Sequence, residues 1–234
     1  MQKIGLNEDQ LAYQQLALDF MESKLKPNAK HWDEKHEIDI SAIQEAAKLG
    51  FGGLYIPTAY GGTGLSRHDT TIVFEALSQG CVSTTSLITI HNMTAWMLSK
   101  FGNEELRKKY LPQMLTCETM GSYCLTEPHS GSDSASLKIS CKRDGNDYVI
   151  NGQKVFISGG GFNSLYFVMV RTGEHKTRGI SCVVVPKDTK GLRFGAREKK
   201  MGWNASPTTQ VFLMMSASQS PTELAKKAKD LKLL

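Results

Sequence analysis

The segment YCLTEPHSGSD, residues 123–133, contains the side chains best suited to hold a polar ligand. Thr126, Ser130 and Ser132 could present hydroxyl donors to a polar ring or a phosphate, and Gly131 lets a backbone approach closely. An ordinary turn rich in serine and glycine has the same composition. The segment alone therefore leaves both a ligand-binding loop and a plain turn open.

Other stretches with candidate chemistry favour structural interpretations. The segment GGTGLS, residues 61–66, resembles a phosphate-binding loop only in composition, because it lacks a preceding strand and the lysine of such loops. His91 precedes the apolar run MTAWML and is typical of a histidine packed in a core. The cysteines are odd in number and lack C-x-x-C spacing, which indicates reduced thiols rather than a zinc site or a disulfide framework. They are Cys81, Cys117, Cys124, Cys141 and Cys182.

Composition limits the class of protein. The chain has 234 residues, of which 40% are hydrophobic, enough for one large or two small domains with a core. The net charge of +5 is spread out except at residues 107–109 and 197–200, so solvated faces are favoured over a nucleic-acid interface. No apolar run approaches the ~18 residues that span a membrane. The start MQKIGLNEDQ is acidic where a signal or transit peptide would be basic, so no targeting segment is expected in this chain.

The first half of the chain has helical periodicity. Asn7 and Gln10 form the pattern of a capping box before the first amphipathic run. The run SAIQEAAKLG ends at Gly50, and the run NEELRKKYLPQML opens on Asn103. Residues 7–115 are therefore predicted to form a helical domain, with its boundary at residue 118.

The second half changes to short segments rich in Val, Ile, Tyr and Phe. Two turn signals, Asp144-Gly145 and Asn151-Gly152, separate them, and the second is the stronger hairpin signal. Several such strands in under a hundred residues predict an antiparallel barrel or sandwich over residues 119–212, and not a Rossmann sheet. The predicted fold class is thus α+β, with an all-α domain followed by an antiparallel β-barrel domain.

Taken together, three motifs resemble the acyl-CoA dehydrogenase family. They are YCLTEPHSGSD, NGQKVFISGGG and GISCVVVPKDTKGLRFGAREKKMGWNASPT. The helical half agrees through LGFGGLYIPTAYGGTGLSRHDT and IHNMTAWMLSKFGNEELRKKYLP. The resemblance covers residues 4–212 and is greatest to the short, branched-chain branch of the family.

The resemblance implies an FAD-dependent flavoprotein with a helical domain, a middle β-barrel and a C-terminal helical bundle, usually a tetramer. It implies α,β-dehydrogenation of a short or branched acyl-CoA such as isobutyryl-CoA, as in valine catabolism and fatty acid metabolism. Electrons would pass to an electron-transfer flavoprotein, and the location would be the mitochondrial matrix.

The resemblance also assigns site residues. Thr126 would hydrogen-bond the flavin ring, Ser132 would face the phosphates or the CoA substrate, and Ser158 would donate to N5 of the flavin, where a donor stabilises the charge that builds up. His129 replaces the glycine that is usual in the family, and either a strained backbone or an added imidazole contact could follow. The residues implied to line FAD are Tyr123, Cys124, Leu125, Thr126, Glu127, Pro128, His129, Ser130, Gly131, Ser132, Phe156, Ile157 and Ser158.

The final segment, residues 213–234, does not follow the family pattern, which continues with a Phe-Glu/Asp-Asp motif. A one-base shift of its reverse-translated codons turns the pair Met214-Met215 into Asp-Asp and permits the expected continuation. We therefore expect a frameshifted, disordered tail. On this interpretation the C-terminal bundle, which supplies the family's catalytic glutamate, is absent, and no catalytic residue is assigned.

Two functional hypotheses follow. The first is an FAD-dependent acyl-CoA dehydrogenase. The second is a catalytically inactive fragment that acts at most as a flavin-binding or interaction module.

Overall fold

The computed structural model describes residues 5–144, 147–217 and 222–223. In the described part of the chain, a helical half precedes a β-sheet half. The helices are α1 (Glu8–Phe20), α2 (Lys26–Lys35), α3 (Ile40–Lys48), α4 (Arg67–Ser78), α5 (Val82–Phe101) and α6 (Glu104–Leu115).

Side-chain caps fix where helices begin. Asn7 and Gln10 exchange hydrogen bonds of 2.9 and 3.0 Å in a capping box at the start of α1. The side chain of Asn103 accepts a hydrogen bond from the backbone N–H of Leu106 and caps α6. After α3, Gly50 takes a left-handed φ of 88°, which glycine adopts without strain. The predicted helical domain is therefore confirmed.

The sheet contains eight strands among the described residues, in the order β6-β7-β3-β2-β4-β5-β8, with β1 paired to β4. The strands β4 and β5 are buried along almost their whole length, which explains their continuous apolar sequence. The strands are β1 (Gly121–Cys124), β2 (Ser140–Asp144), β3 (Asp147–Ser158), β4 (Leu165–Arg171), β5 (Ile180–Pro186), β6 (Leu192–Arg197), β7 (Thr208–Ala217) and β8 (Thr222–Glu223).

The predicted β domain after the helical domain is confirmed, and its sheet is mixed, with two parallel contacts among mainly antiparallel pairs. β1 runs parallel to β4, with Gly121 opposite Leu165, and β2 also meets β4 in parallel at one position. The remaining strand pairs are antiparallel. A parallel pair needs a long connection, and here the β2–β3 hairpin lies inside that connection.

The prediction of a hairpin turn at Asn151-Gly152 is wrong. Both residues lie inside β3, and a Cβ on Gly152 would come within 2.5 Å of the Ile139 side chain. Glycine is thus needed there for close packing between strands and not for a turn. The connection between β2 and β3 falls at residues 145–146, so Gly145 of the other turn signal lies outside the described residues.

The final segment is partly described. Residues 213–217 continue β7, which pairs with β3 and β6, and residues 222–223 pair with β5. For residues 213–217 the structure therefore differs from the expected disorder, because the apolar run VFLMM fits a strand beside β3. The other residues of the predicted tail lie outside the described part.

Two contacts, one partly buried and one buried, join the helical half to the sheet half. The carboxylate of Asp33 at the end of α2 accepts hydrogen bonds from the backbone N–H groups of Asn204 (2.7 Å) and Ala205 (3.3 Å). His91 of α5 is fully buried, and its Nε2 lies 2.8 Å from the carbonyl oxygen of Met114. Its Nδ1 accepts the N–H of Gly121, at 3.2 Å, where β1 begins.

His91 is thus a packed core histidine, as predicted. Because Nδ1 is an acceptor, the proton of the neutral ring must lie on Nε2, which donates to the carbonyl. Burial lowers the pKa of His91 to about 4, although the backbone hydrogen bonds of the ring oppose that shift.

Candidate functional site

The two motif segments predicted to face a flavin lie side by side. Ser122 Oγ donates to the carbonyl oxygen of Ser158 at 2.8 Å. Four residues further along, the carbonyl oxygen of Thr126 accepts the N–H of Val155 at 2.9 Å. The chain from β1 to Thr126 therefore runs antiparallel to the end of β3, so residues 29 and 36 positions apart in sequence share one edge.

A tight turn follows this edge. The backbone groups of Glu127 and Ser130 exchange two hydrogen bonds, of 3.0 and 3.1 Å. The hydroxyl of Ser130 donates to the carbonyl oxygen of Asp133 at 2.6 Å, so it is used inside the loop. Pro128, His129, Gly131 and Ser132 are exposed, and a Cβ on Gly131 would meet nothing within 4 Å. The turn thus presents its outer residues to solvent.

Glu127 and Lys154 form a buried ion pair beneath the turn. Lys154 Nζ lies 2.8 Å from Glu127 Oε1 and donates to the carbonyl oxygen of Leu125 at 2.9 Å. The carboxylate of Glu127 also accepts the backbone N–H groups of Lys138 (2.7 Å) and Ile139 (3.1 Å). The side chains of Lys154 and Glu127 are 0% and 1% exposed. Every polar atom of the pair therefore has a protein partner.

The charges of this pair respond to burial and to each other. Burial alone would raise the pKa of the Glu127 carboxyl, but the Lys154 ammonium and the two backbone N–H groups hold it below its ordinary value. Burial lowers the pKa of Lys154, and Glu127 opposes that shift.

Of the two effects considered for His129, a strained backbone or an added imidazole contact, the structure shows the contact. Its Nε2 lies 3.3 Å from Glu127 Oε2, and its ring is about half exposed. Its φ is not positive, so no left-handed strain arises from the replacement of glycine.

Phe156 lies at an irregularity in β3, where the register with β7 shifts between Lys154 and Ile157. Its φ of 58° is left-handed, and its side chain is 65% exposed although it is a large apolar group. An exposed aromatic side chain on a left-handed backbone is uncommon, so Phe156 is a candidate for contact with a ligand.

The chain after β3 turns back through a network of neutral hydrogen bonds. Asn163 Nδ2 donates to the carbonyl oxygen of Gly121 (2.9 Å) and to Ser122 Oγ (3.0 Å). The Tyr166 hydroxyl donates to the carbonyl oxygen of Asn163 at 3.0 Å. A Cβ on Gly159, whose φ is 75°, would lie 2.1 Å from Asn163 Nδ2, so glycine is required there. This network holds Ser158 at the edge.

Three hydroxyl groups of the two motif segments have no intramolecular partner in the described part of the protein. They belong to Thr126 and Ser158, which are partly exposed, and to Ser132, which is exposed. In contrast, the hydroxyls of Ser122 and Ser130 are both bonded. Unpaired hydroxyls beside an exposed aromatic ring suit a planar polar ligand. That all three converge on one ligand stays a prediction.

Other predicted site residues face the core. Cys124 and Ile157 are buried in the sheet core, and burial raises the pKa of the Cys124 thiol to about 12. Tyr123 and Leu125 pack against a second apolar cluster. These four residues would contribute backbone atoms to a ligand site rather than side chains.

Three residues that position the edge were not predicted from the sequence: Lys154, Ser122 and Asn163. Lys154 lies within the NGQKVFIS motif, so the motif contains the residue although its burial could not be seen. A depression of about 200 Å³ lies on the other side of the 158–163 turn. It is lined by Gly160, Gly161, Phe162, Phe194, Gly195, Arg197 and Thr209.

Two general features bear on function. No group of three or more metal-ligating side chains occurs within the described ranges. In the same part of the chain, no helix combines the length and the apolar character required to cross a membrane.

Comparisons with known proteins agree with this architecture. The family model described as "Acyl-CoA dehydrogenase, N-terminal domain" matches residues 7–118, and that described as "Acyl-CoA dehydrogenase, middle domain" matches residues 122–215. The chain is 52% identical over 206 residues to isobutyryl-CoA dehydrogenase, mitochondrial, of Dictyostelium discoideum, covering 88% of this chain and 50% of that protein. It is 51% identical over 208 residues to the Bos taurus protein of the same name, covering 89% and 50%.

A solved structure gives the same picture. The glutaryl-CoA dehydrogenase of Mycobacterium smegmatis in complex with FADH2 superposes with a TM-score of 0.87 at 25% identity. The match covers 94% of this chain and 56% of that one. The chain thus spans about half the length of the curated relatives it matches.

Proposed function

Because the chain belongs to the acyl-CoA dehydrogenase family, we propose that it holds FAD and contributes to the α,β-dehydrogenation of a short or branched acyl-CoA. The observation that carries the proposal is the edge formed by residues 122–126 and 155–158. There the hydroxyls of Thr126 and Ser158 lack partners among the described residues.

The residues present fit a flavin. The hydroxyls of Thr126 and Ser158 donate hydrogen bonds to the polar edge of the ring, and the exposed side chain of Phe156 covers it. Ser132, beyond the tight turn, binds a phosphate of FAD or of the CoA substrate, and Gly131 leaves room for close approach. When bound, FAD supplies the acceptor for the hydride that leaves the acyl chain.

The finer assignments rest on the relatives. Two of them, at 52% and 51% identity, carry the name isobutyryl-CoA dehydrogenase, mitochondrial, which supports isobutyryl-CoA as the substrate and the mitochondrion as the location. We extend the proposal to an electron-transfer flavoprotein as electron acceptor and to a homo-oligomer, a tetramer as in the family.

The base for the α-proton is a separate question. Glu127 is a carboxylate of the site, but Lys154, two backbone N–H groups and His129 occupy its oxygens, and its pKa is lowered. A general base needs a free lone pair directed at the substrate. Glu127 therefore does not take the proton.

This observation favours a second candidate for the 234-residue chain by itself. On that hypothesis the polypeptide is a flavin-binding module that does not turn over acyl-CoA, and the base lies in sequence beyond these 234 residues. Both candidates require flavin binding and differ only in turnover.

Titration of the purified chain with FAD, followed by flavin fluorescence, tests the proposal. We expect Thr126→Val and Ser158→Ala each to weaken FAD binding about tenfold, the effect of losing one hydrogen bond. The matched control Ser23→Ala, in the helical half, should bind as the wild type does. Failure of the wild-type chain to bind FAD would contradict the proposal.

Anaerobic addition of isobutyryl-CoA to the FAD complex separates the two candidates. Bleaching of the flavin absorption supports a dehydrogenase within these 234 residues. We expect an unchanged spectrum for this chain, because no described site carboxylate is available as the base.

A further inference from the structure

The buried ion pair of Lys154 and Glu127 lies directly behind the residue that would face the flavin. Lys154 Nζ contacts the carbonyl oxygen of Leu125, the residue before Thr126, at 2.9 Å. It also contacts the side chain of Glu127, the residue after Thr126, at 2.8 Å. Thr126 itself is bonded through its carbonyl oxygen to Val155, the residue after Lys154. The main chain of Thr126 is thus fixed on both sides, while its hydroxyl has no partner among the residues that the structure describes.

Stability alone does not account for this pair. Removing two charges from water is costly, and apolar residues of similar size often serve as well or better in a protein interior. What an apolar pair cannot do is donate to the Leu125 carbonyl or accept the backbone N–H groups of Lys138 and Ile139. The pair therefore fixes the path of the backbone rather than filling space.

Lys154 lies in one segment of the edge, and its side chain contacts the other segment. Lys154 is the last residue of β3 that pairs with β7 before the register shifts, and Phe156, within that irregular stretch, has its side chain exposed. Its ammonium reaches the opposite segment at Leu125. One side chain thus sets the distance between the segment that carries Thr126 and the segment that carries Ser158.

We propose that Lys154 and Glu127 are positioning residues that aim the Thr126 hydroxyl at the flavin. This proposal rests on the proposed function, since it takes the ligand at this edge to be FAD. Neither residue touches the reacting atoms, and both act through the backbone of residues 125–127.

The test is a set of FAD affinities with Lys154→Met, Glu127→Gln and the double variant E127Q/K154M. Loss of Lys154 alone also leaves a buried carboxylate unpaired, so that variant could simply unfold. The double variant removes both charges and keeps one glutamine oxygen, which can accept the N–H of Lys138 or of Ile139 but not both, because Glu127 accepts them on different oxygens. We expect it to fold but to bind FAD at least tenfold more weakly than the wild type, because the Leu125 carbonyl still lacks its donor.

A cycle with Thr126→Val distinguishes positioning from a general structural effect. If the pair acts through Thr126, the Thr126→Val change should weaken binding about tenfold in the wild type and less than twofold in E127Q/K154M. The control background is Leu192→Ala, a core change in β6, in which Thr126→Val should keep its full effect. Wild-type affinity in E127Q/K154M, or an undiminished Thr126→Val effect there, would overturn the proposal.

Hydrogen exchange keeps the two proposals separable. If the wild-type chain does not bind FAD, the proposed function fails. The positioning role is then read from the Val155 amide, which donates to Thr126. Its protection should fall at least tenfold in E127Q/K154M relative to Leu192→Ala, and unchanged protection would overturn the role.

Discussion

The two segments that meet at the site edge are held by different forces. The turn at residues 127–130 is held by a buried ion pair between Lys154 and Glu127. The turn at residues 158–163 is fastened by neutral groups, chiefly the Asn163 amide and the Ser122 hydroxyl. Both kinds of contact hold a tight turn, but the two turns should respond differently when a mutation removes one partner.

The difference follows from what remains after one partner is lost. A buried charge without its partner keeps its full desolvation cost, whereas a neutral donor or acceptor loses about one hydrogen bond. The charged turn should therefore fail when one residue changes, and the neutral turn should weaken stepwise. Four measurements break or sharpen this contrast.

The largest effect is expected from Lys154→Met. The free energy of unfolding should fall by about 3–5 kcal/mol, because Glu127 is left charged and buried. Adding Glu127→Gln should recover most of that loss, and urea unfolding of the wild type, both single variants and the double variant gives the coupling energy. If the changes in unfolding free energy of the two single variants simply add in the double variant, the ion pair does not hold this turn.

Acid should weaken the neutral contact of His91 with the start of β1 before it weakens the ion pair of Lys154 and Glu127. Unfolded histidine gains a proton below pH 6.5, while buried His91 stays neutral until about pH 4, so stability is lost as the pH falls from 6.5 towards 4. Between pH 7.5 and 5 this loss is on the order of 2 kcal/mol. The Glu127 contribution persists across that interval, because its folded pKa lies below its ordinary value of 4.5.

Urea unfolding at both pH values, for the wild type and His91→Gln, checks this prediction. Glutamine can still donate to Met114 but does not titrate, so the pH dependence should be smaller in the variant. Equal slopes for the two proteins would assign the acid sensitivity to other groups.

A smaller effect is expected from Asn163→Ala. The amide donates to Gly121 and Ser122, while its Oδ1 has no partner among the described residues. The substitution therefore removes only the hydrogen bonds that Nδ2 donates. We expect the free energy of unfolding to fall by about 1–2 kcal/mol. A loss as large as that of Lys154→Met would remove the distinction between the two turns.

Phe156→Gly should have the smallest effect on the free energy of unfolding, and it should raise stability where the other variants lower it. Glycine relieves a left-handed backbone that costs other residues about 1–2 kcal/mol, and a side chain that is 65% exposed loses little burial. The gain is offset in part by the entropy of glycine in the unfolded chain, so stability should rise by up to about 1 kcal/mol. Thermal unfolding measures it, with Phe194→Gly, at a half-buried aromatic of β6, as the destabilising control.

Much of the fold could be predicted from local signals. The capping box at Asn7, the cap at Asn103 and the glycine after α3 act within a few residues of sequence, so the starts of α1 and α6 and the end of α3 were predicted. Asn151-Gly152 has the sequence of a hairpin turn, yet its glycine makes room for Ile139, the residue just before β2. Likewise, the parallel pairing of β1 with β4 depends on residues over forty positions apart and has no local signature.

The site was predictable to a similar degree. The motifs pointed to Thr126, which is partly exposed, and to Ser132 and Phe156, which are exposed, as candidates. It could not indicate that Ser130 and Cys124 turn inward, or that the lysine of NGQK is fully buried. Burial of a charged side chain depends on its partner, and Glu127 lies 27 positions away in sequence.

The parallel pairing of β1 with β4 also orders events during folding. Gly121 finds its partner Leu165 only after a long loop closes, and closing such a loop is entropically slow. The β2–β3 hairpin lies inside that loop and joins neighbours in sequence, so it can form first and shorten the effective distance. We expect pulse-labelled amides of β2 and β3 to gain protection before those of β1. The edge that carries Thr126 would then be assembled late, onto a strand that already exists.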